Sequence, residues 1–252
     1  MAAKKIIPCL DMKDGKVVKG VKFVDIREVG DPPAFASRYE NDGADEVAFL
    51  DISATTEGRR TMLKAVEATA KVLTVPLAVG GGIRSAKEMK DVLDAGASKV
   101  SINSAAVENP DVVKECSKAF GKERLIIAID AKEEDGRWVV CTHGGMRSSG
   151  IDAIEWAKKM ESYGAGEILL TSIDADGVKE GYDIPMTKAV ADAVSIPVTA
   201  SGGCGSAEHI FEVLTKTNAA AALAASIFHF NDYTVKDVKK YLRDRGVEVS
   251  WN

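Results

Sequence analysis

Two aspartates close two similar apolar segments that lie about 120 residues apart. Asp11 ends KIIPCLD (residues 5–11), and Asp130 ends RLIIAID (124–130). Two carboxylates facing one another across a site suit general acid–base catalysis, in which one group gives a proton and the other takes one. A single aspartate at a strand end more commonly caps a helix or anchors a loop. The symmetric pair therefore predicts proton transfer where either residue alone would not.

Two glycine-rich segments form a second pair. The glycine-rich segment VPLAVGGGIRSAKEM (75–89) aligns with IPVTASGGCGSAEHI (196–210). A further aligned pair precedes them, namely GADEVAFLDI (43–52) and GAGEILLTSI (164–173). Glycines leave backbone N–H groups open to an anion. One such turn also serves close helix packing, but two in the register that relates the aspartates predict a ligand with a phosphate at each end. Its reactive middle would lie between Asp11 and Asp130.

Short apolar runs alternate with amphipathic stretches along the whole chain, which is typical of βαβ units around a parallel sheet. Eight of each in 252 residues predict a single-domain (β/α)8 TIM barrel over 1–252, built from two duplicated half-barrels of about 1–121 and 122–252. A doubly wound open sheet is the structural alternative. Strands are predicted near 5–10, 46–51, 76–80, 98–103, 124–130, 167–171, 196–201 and 219–225. Helices are predicted near 33–42, 59–73, 84–95, 110–119, 152–163, 183–194, 206–216 and 234–245.

Two connections are predicted to lie at the rim of the barrel. Residues 11–31 form a long loop that carries Lys13, Lys16, Lys19 and Lys22, and it either folds over a substrate or presents a solvated charged face. Residues 132–146 contain Asp135-Gly136 followed by apolar β formers, which predicts a small hairpin.

Side chains alternate along a strand, so an inward Asp11 implies an inward Cys9, Ile7 and Lys5. The same alternation places four charges of zero sum in the lowest layer, namely Lys5, Glu46, Lys99 and Glu167. Above them lie small side chains: Cys9, Ala48, Ala78, Ser101, Ala128 and Thr199. This arrangement suits a narrow gated passage. The alternative is that small residues simply make room for bulky neighbours such as Ile7 and Ile126.

Composition excludes several classes of protein. A net charge of −5 and a pI near 5.4 argue against broad binding to nucleic acids or membrane surfaces. The mean hydropathy of −0.05 is that of an ordinary globular composition, and no apolar run has the length of a membrane helix. The N-terminus lacks a signal-peptide pattern, so a cytoplasmic protein is expected. The four cysteines have no metal-ligand spacing, which predicts free thiols and neither a metal site nor a disulfide framework. No cofactor is expected.

Several motifs together resemble one family, the cyclase subunits of imidazole glycerol phosphate synthase from histidine biosynthesis. The resemblance runs nearly end to end, and it is carried by CLDMKDGKVVKG (9–20), FLDISATTEGR (49–59), VGGGIRS (79–85), SINSAAVENP (101–110), AIDAK (128–132), LLTSIDADGVKEGYD (169–183) and ASGGCGS (200–206). A related isomerase of the same pathway shares the repeat and both phosphate loops. It lacks this form of the first loop and the ASIFHF run at 225–230.

The resemblance implies a lyase that uses ammonia to cleave and cyclise a bisphosphorylated ribulosyl-formimino-aminoimidazole carboxamide ribonucleotide. The products are imidazole glycerol phosphate and aminoimidazole carboxamide ribotide. Asp11 and Asp130 match the family's catalytic pair, and Lys19 matches a lysine on a mobile loop. The remaining predicted substrate- and phosphate-binding positions are Gly82, Asn103, Ser104, Thr171, Asp176, Gly177, Gly203, Ala225 and Ser226.

The resemblance also implies a partner. A glutaminase subunit docked on the N-terminal face of the barrel, as a heterodimer, would send ammonia through the barrel, and Lys5, Glu46, Lys99 and Glu167 match the gate of that route. The chain departs from the family at Lys5, which is often Arg, and at Ser98, which is commonly Asp. A different interpretation is a non-catalytic barrel that binds the bisphosphate and only activates a glutaminase.

Overall fold

The computed structural model describes residues 3–21, 24–58 and 61–251. Its strands are β1 (Lys5–Lys13), β2 (Lys16–Val21), β3 (Val24–Gly30), β4 (Val47–Asp51), β5 (Leu77–Gly80), β6 (Lys99–Ile102), β7 (Leu125–Glu134), β8 (Arg137–Thr142), β9 (Arg147–Asp152), β10 (Glu167–Ser172), β11 (Val198–Ser201) and β12 (Ala221–Ala224). Its α-helices are α1 (Pro32–Asn41), α2 (Leu63–Ala70), α3 (Ala86–Asp94), α4 (Ser104–Glu108), α5 (Asp111–Phe120), α6 (Ala153–Ser162), α7 (Ile184–Ala193), α8 (Ala207–Lys216), α9 (Ser226–His229) and α10 (Val235–Arg243).

Eight parallel strands close into a ring in the order β1, β4, β5, β6, β7, β10, β11, β12. The pairing of β10 with β7 and of β12 with β1 completes the circle. Helices connect successive barrel strands, so the predicted single-domain (β/α)8 barrel is confirmed and the open sheet is excluded. The duplication of the half-barrel stays a prediction.

The alternation of side chains is the reason that the interior can be deduced from the sequence. One apolar cluster lies inside the ring and contains Ile7, Cys9, Ala48, Ala78, Ile126, Leu169, Ala221 and Leu223. A second, larger cluster fills the space between the outer face of the sheet and the helices. Successive residues of β1 enter opposite clusters, with Ile6 outside and Ile7 inside, as a period of two requires.

Serine caps fix where two helices begin after the glycine-rich segments. The Ser85 hydroxyl accepts the Glu88 N–H at 3.2 Å and opens α3, and the Ser206 hydroxyl accepts the His209 N–H at 3.3 Å and opens α8. Each hydroxyl satisfies a donor that has no carbonyl partner within its helix. The glycines therefore lie directly before a helix in both halves.

The prediction of a long loop after the first strand was wrong in one respect. Within 11–31, β2 and β3 form an antiparallel hairpin, and β2 pairs with an extended β1 through Met12 and Val17. The Asp14-Gly15 turn connects β1 to β2, and its φ values of 50° and 79° are the positive pair that a tight turn between antiparallel strands needs. Lys16 lies within 4.0 Å of the Glu28 and Asp31 carboxylates. Lys22 lies outside the described residues.

The second predicted hairpin is present and longer than expected. β7 continues to Glu134, turns at Asp135-Gly136 and pairs with β8, and β9 adds a further antiparallel strand. Two short helices, α4 and α9, were not predicted because five- and four-residue segments carry too little periodicity.

Candidate active site

A cavity of about 350 Å³ opens at the C-terminal ends of the barrel strands. β1 and β7 stand four places apart in the eight-membered ring, so Asp11 and Asp130 line opposite walls of one cavity. The structure brings nine more of the predicted residues to its lining: Gly82, Asn103, Ser104, Thr171, Asp176, Gly177, Gly203, Ala225 and Ser226. Their roles stay predictions. The backbone of Lys19 lies in β2, and its side chain lies outside the described part of the chain.

Asp130 is partly accessible to the cavity but is otherwise surrounded by protein. The Asn103 amide donates from Nδ2 to Asp130 Oδ2 at 2.9 Å and also to the Cys141 carbonyl oxygen at 3.3 Å. The Thr171 hydroxyl, on the neighbouring strand at the same register, is a further hydrogen-bond partner. Burial raises the pKa of Asp130 to about 6, and the charge of Asp176 contributes in the same direction. The group therefore changes its protonation close to neutral pH.

On the opposite wall, Asp11 is approached from below by Cys9, which lies two residues earlier on the same face of β1. The Cys9 thiol donates to Asp11 Oδ1 at 3.3 Å. Since Cys9 belongs to the interior apolar cluster, the carboxylate stands directly above that cluster.

A raised pKa makes Asp130 a destabilising residue at neutral pH, and Asp130→Asn tests this. A carboxyl with a folded pKa of about 6 and an unfolded value of about 3.9 is neutral in both states at low pH. It is ionised in both at high pH, where only the folded state bears the cost of burial. We expect the effect of Asp130→Asn on the free energy of unfolding to be more stabilising at pH 8 than at pH 4.5, by roughly 1–2 kcal/mol.

Chemical denaturation at the two pH values measures the difference. Asp94→Asn on the exposed end of α3 is the matched control and should show no such gain. An equal effect of Asp130→Asn at both pH values would contradict the raised pKa.

The two glycine loops fold back onto the ends of the preceding strands. Gly81 and Gly202 have φ values of 98° and 91°. A Cβ on Gly81 would lie 2.1 Å from the Asp51 carbonyl oxygen, and one on Gly202 would lie 2.6 Å from the Ser172 carbonyl oxygen. Neither position accepts a side chain, so both loops present bare backbone to the cavity.

Gly81→Ala is expected to destabilise the protein by about 3 kcal/mol, because backbone strain and a backbone collision add. Gly136→Ala is the matched control: Gly136 also has a positive φ, of 77°, but nothing lies within 4 Å of its Cβ position. It should lose only about 1 kcal/mol. Denaturant unfolding of the two variants measures the difference, and equal losses would show that the close approach to Asp51 does not matter.

The residues directly after β6 and β12, the strands that follow the two glycine loops, have similar backbone angles. Asn103 before α4 has φ −124° and ψ −85°, and Ala225 before α9 has φ −120° and ψ −68°. Each precedes a serine, Ser104 or Ser226, that also lines the cavity. The cavity therefore has two similar ends, each made from one glycine loop and one serine turn.

Sequence reasoning missed several cavity residues. The Thr55 hydroxyl accepts the Gly82 N–H at 3.3 Å. His143 donates its N–H to the hydroxyl of the predicted residue Ser104 at 3.0 Å, which holds the β8–β9 connection at the start of α4. Residues of the lining to which the sequence assigned no role include Asp51, Thr55, Arg84, Glu108, His143, Gly144 and Lys179. Some of them lie inside the quoted motifs, but nothing in residue type or spacing shows that loops from different strands meet here.

Beneath the cavity, the four interior charges form a chain of ion pairs. Lys99 Nζ lies 2.8 Å from both Glu46 Oε2 and Glu167 Oε2, and Lys5 Nζ lies 3.7 Å from Glu46 Oε2. The Thr199 hydroxyl donates to Glu167 Oε1 at 2.7 Å. Burial lowers the pKa of Lys99, but the two carboxylates outweigh it and the net shift is upward. The role of these residues as a gate stays a prediction.

The fold and the cavity together define a (β/α)8 barrel with a polar, two-ended site at the C-terminal ends of its strands. The sequence family described as "Histidine biosynthesis protein" matches residues 5–234, and the chain belongs to this family. Among the described residues, no cluster of three or more His, Cys, Asp or Glu side chains is arranged to hold a metal ion. No helix within 3–21, 24–58 and 61–251 is both long and apolar enough to cross a bilayer.

Proposed function

We propose that the protein is the ammonia-using cyclase of imidazole glycerol phosphate synthesis. It would convert the bisphosphorylated ribulosyl-formimino-aminoimidazole carboxamide ribonucleotide to imidazole glycerol phosphate and aminoimidazole carboxamide ribotide. The observation that carries the proposal is the placement of Asp11 and Asp130 on opposite walls of one cavity that has a glycine loop at each end. The family of histidine biosynthesis proteins supports the pathway.

The two carboxylates are suited to the proton transfers of this reaction. Ammonia that attacks an electrophilic carbon becomes positively charged and must lose a proton, and a departing nitrogen must gain one. A carboxyl group with a pKa of about 6, such as Asp130, can hold or release a proton at neutral pH. Asp11 faces it across the cavity and provides the second exchanging group.

The ion-paired ring below the cavity supports the ammonia route. Its members lie at the N-terminal ends of the strands, and the interior between ring and cavity holds the small Cys9, Ala48 and Ala78 beside larger side chains such as Ile7 and Ile126. An isomerase of the same pathway would need no route for ammonia through the barrel. A glutaminase subunit docked on the N-terminal face is the proposed partner. Ser98 would alter one contact there, since its hydroxyl accepts the Leu77 N–H at 3.2 Å within the barrel.

Substrate and ammonia can be varied separately to test the proposal. The cyclase should consume the bisphosphate substrate only when ammonium salt is present, at raised pH to supply free ammonia. It should leave the unisomerised precursor unchanged. Conversion of the precursor without ammonia would identify the isomerase instead. Tight binding of the bisphosphate with stimulation of a glutaminase, but without turnover, would identify a non-catalytic partner.

A further inference from the structure

The cavity contains two cationic side chains that the proposed mechanism does not use. Arg84 follows the first glycine loop, and Lys179 lies in the connection between β10 and α7. Among the described residues that line the cavity, no other residue is a lysine or an arginine. Five carboxylates share that lining, namely Asp11, Asp51, Glu108, Asp130 and Asp176. An anionic ligand would be repelled by these carboxylates, so its charge must be balanced locally.

The two cations do not occupy equivalent positions in the repeat. Aligning residues 80–85 with 201–206 places Arg84 opposite Gly205, and aligning 49–59 with 170–180 places Lys179 opposite Gly58. At these two aligned positions the first half has Gly58 and Arg84, and the second half has Lys179 and Gly205. At this pair of aligned positions each half has one cationic residue, and in the first half Arg59 and Arg60 also follow Gly58 in the sequence.

The backbone has nearly the same φ at Gly58 and at its aligned counterpart, Lys179. Gly58 has a φ of 66° and Lys179 has a φ of 65°. Glycine adopts this left-handed conformation freely, whereas a lysine there is strained. Such strain persists where surrounding structure enforces it, and it is commonest at functional sites. Lysine at this position therefore has a reason other than local backbone preference.

Packing around Lys179 explains why Gly205 cannot carry a cation itself. A Cβ on Gly205 would lie 2.2 Å from the Lys179 carbonyl oxygen. The β10–α7 connection also contacts the second glycine loop two residues further on, where Gly181 donates its N–H to the Gly203 carbonyl oxygen at 2.9 Å. The ammonium of Lys179 lies 5.5 Å from the centre of the Phe230 ring, directly after α9. Lys179 thus joins the second glycine loop to the helix that begins at Ser226.

We propose that Lys179 supplies the positive charge for an anion held at Gly202 and Gly203, and that Arg84 does the same at Gly81 and Gly82. The site would then require a ligand with a phosphate at each end, and Lys179 would determine the affinity for one of them. The identity of that ligand rests on the proposed function. The two anion-binding ends are inferred from the cationic residues and the glycine loops of the cavity.

Inorganic phosphate is a direct probe, because its binding does not depend on turnover. Calorimetric titration of the full chain should show two phosphate sites. Lys179→Gly should weaken one of them by about tenfold or more, since a charge-assisted contact is lost. Arg84→Met should weaken the other, and the double variant both. Lys188→Met removes an equal charge from the exposed face of α7 and should leave both sites unchanged.

Lys179→Gly also separates binding from folding, because glycine fits a φ of 65° better than lysine. Its melting temperature should equal or exceed that of the wild type while phosphate affinity falls, and Lys179→Arg should restore affinity. Two unchanged phosphate sites in folded Lys179→Gly, or no phosphate binding by the wild type, would overturn the inference. A wild type that binds two phosphates but produces no cyclised product would contradict the proposed function and leave this inference standing.

Discussion

Asp11→Asn and Asp130→Asn are each expected to lower turnover of the bisphosphate substrate with ammonium salt by about 10²–10⁴-fold, the usual contribution of a positioned acid or base. Asparagine keeps the shape of each side chain but cannot exchange a proton. The Asn103 amide can still donate to an asparagine oxygen at position 130, so the cavity should keep its form. Steady-state rates at saturating substrate measure the loss.

Substrate affinity provides the necessary comparison. Both variants should bind the bisphosphate about as well as the wild type, because the glycine loops are untouched. Asp94→Asn, on the exposed surface of α3, should keep full activity. Turnover that survives both site substitutions would rule out the two-carboxylate mechanism.

Lys99→Met is expected to destabilise the barrel by about 3–5 kcal/mol, because two buried carboxylates lose the ammonium group that they share. Glu46 is almost completely buried, with 1% of its side chain exposed, and Glu167 lies against the same ammonium. The triple variant with Glu46→Gln and Glu167→Gln should recover most of the loss. Denaturant unfolding of the wild type and both variants measures the loss and the recovery.

The same variants separate the gate from simple stability. Once stability is restored in the triple variant, activity with external ammonium salt should be nearly normal, whereas activity with glutamine and the glutaminase partner should fall. Lys71→Met, at an exposed pair on α2, is the control for loss of a lysine. Equal losses in the two assays would argue that the ring only supports the fold.

The barrel could be predicted because its signal is periodic and repeated. Alternation along β1 determined which of Ile6 and Ile7 faces inward, and the same rule applied to β4, β6 and β10 brought the four charges to one level. These inferences needed only the geometry of a strand. The antiparallel pairing of β2 with the extended β1 was missed although Asp14-Gly15, between these two strands, carries the signal of a tight turn, because the lysines between the valines suggested a loop.

The cavity was predictable in part for a different reason. Glycines and aspartates at strand ends are visible as residue types, so Asp11, Asp130 and Gly203 could be placed at the cavity from the sequence alone. His143 and Lys179 could not, because each reaches the cavity through a loop whose path depends on contacts with another loop. Ser104 shows the same limit, since its hydroxyl holds the β8–β9 connection as well as facing the cavity.

The most direct measurement of the proposed cyclase activity is a single-turnover reaction with excess protein, the bisphosphate substrate and ammonium salt at raised pH. We expect imidazole glycerol phosphate and aminoimidazole carboxamide ribotide to form in equal amounts, and only when ammonia is supplied. Complete recovery of unchanged substrate by a folded protein that binds it, or product formation independent of ammonia, would contradict the proposed activity.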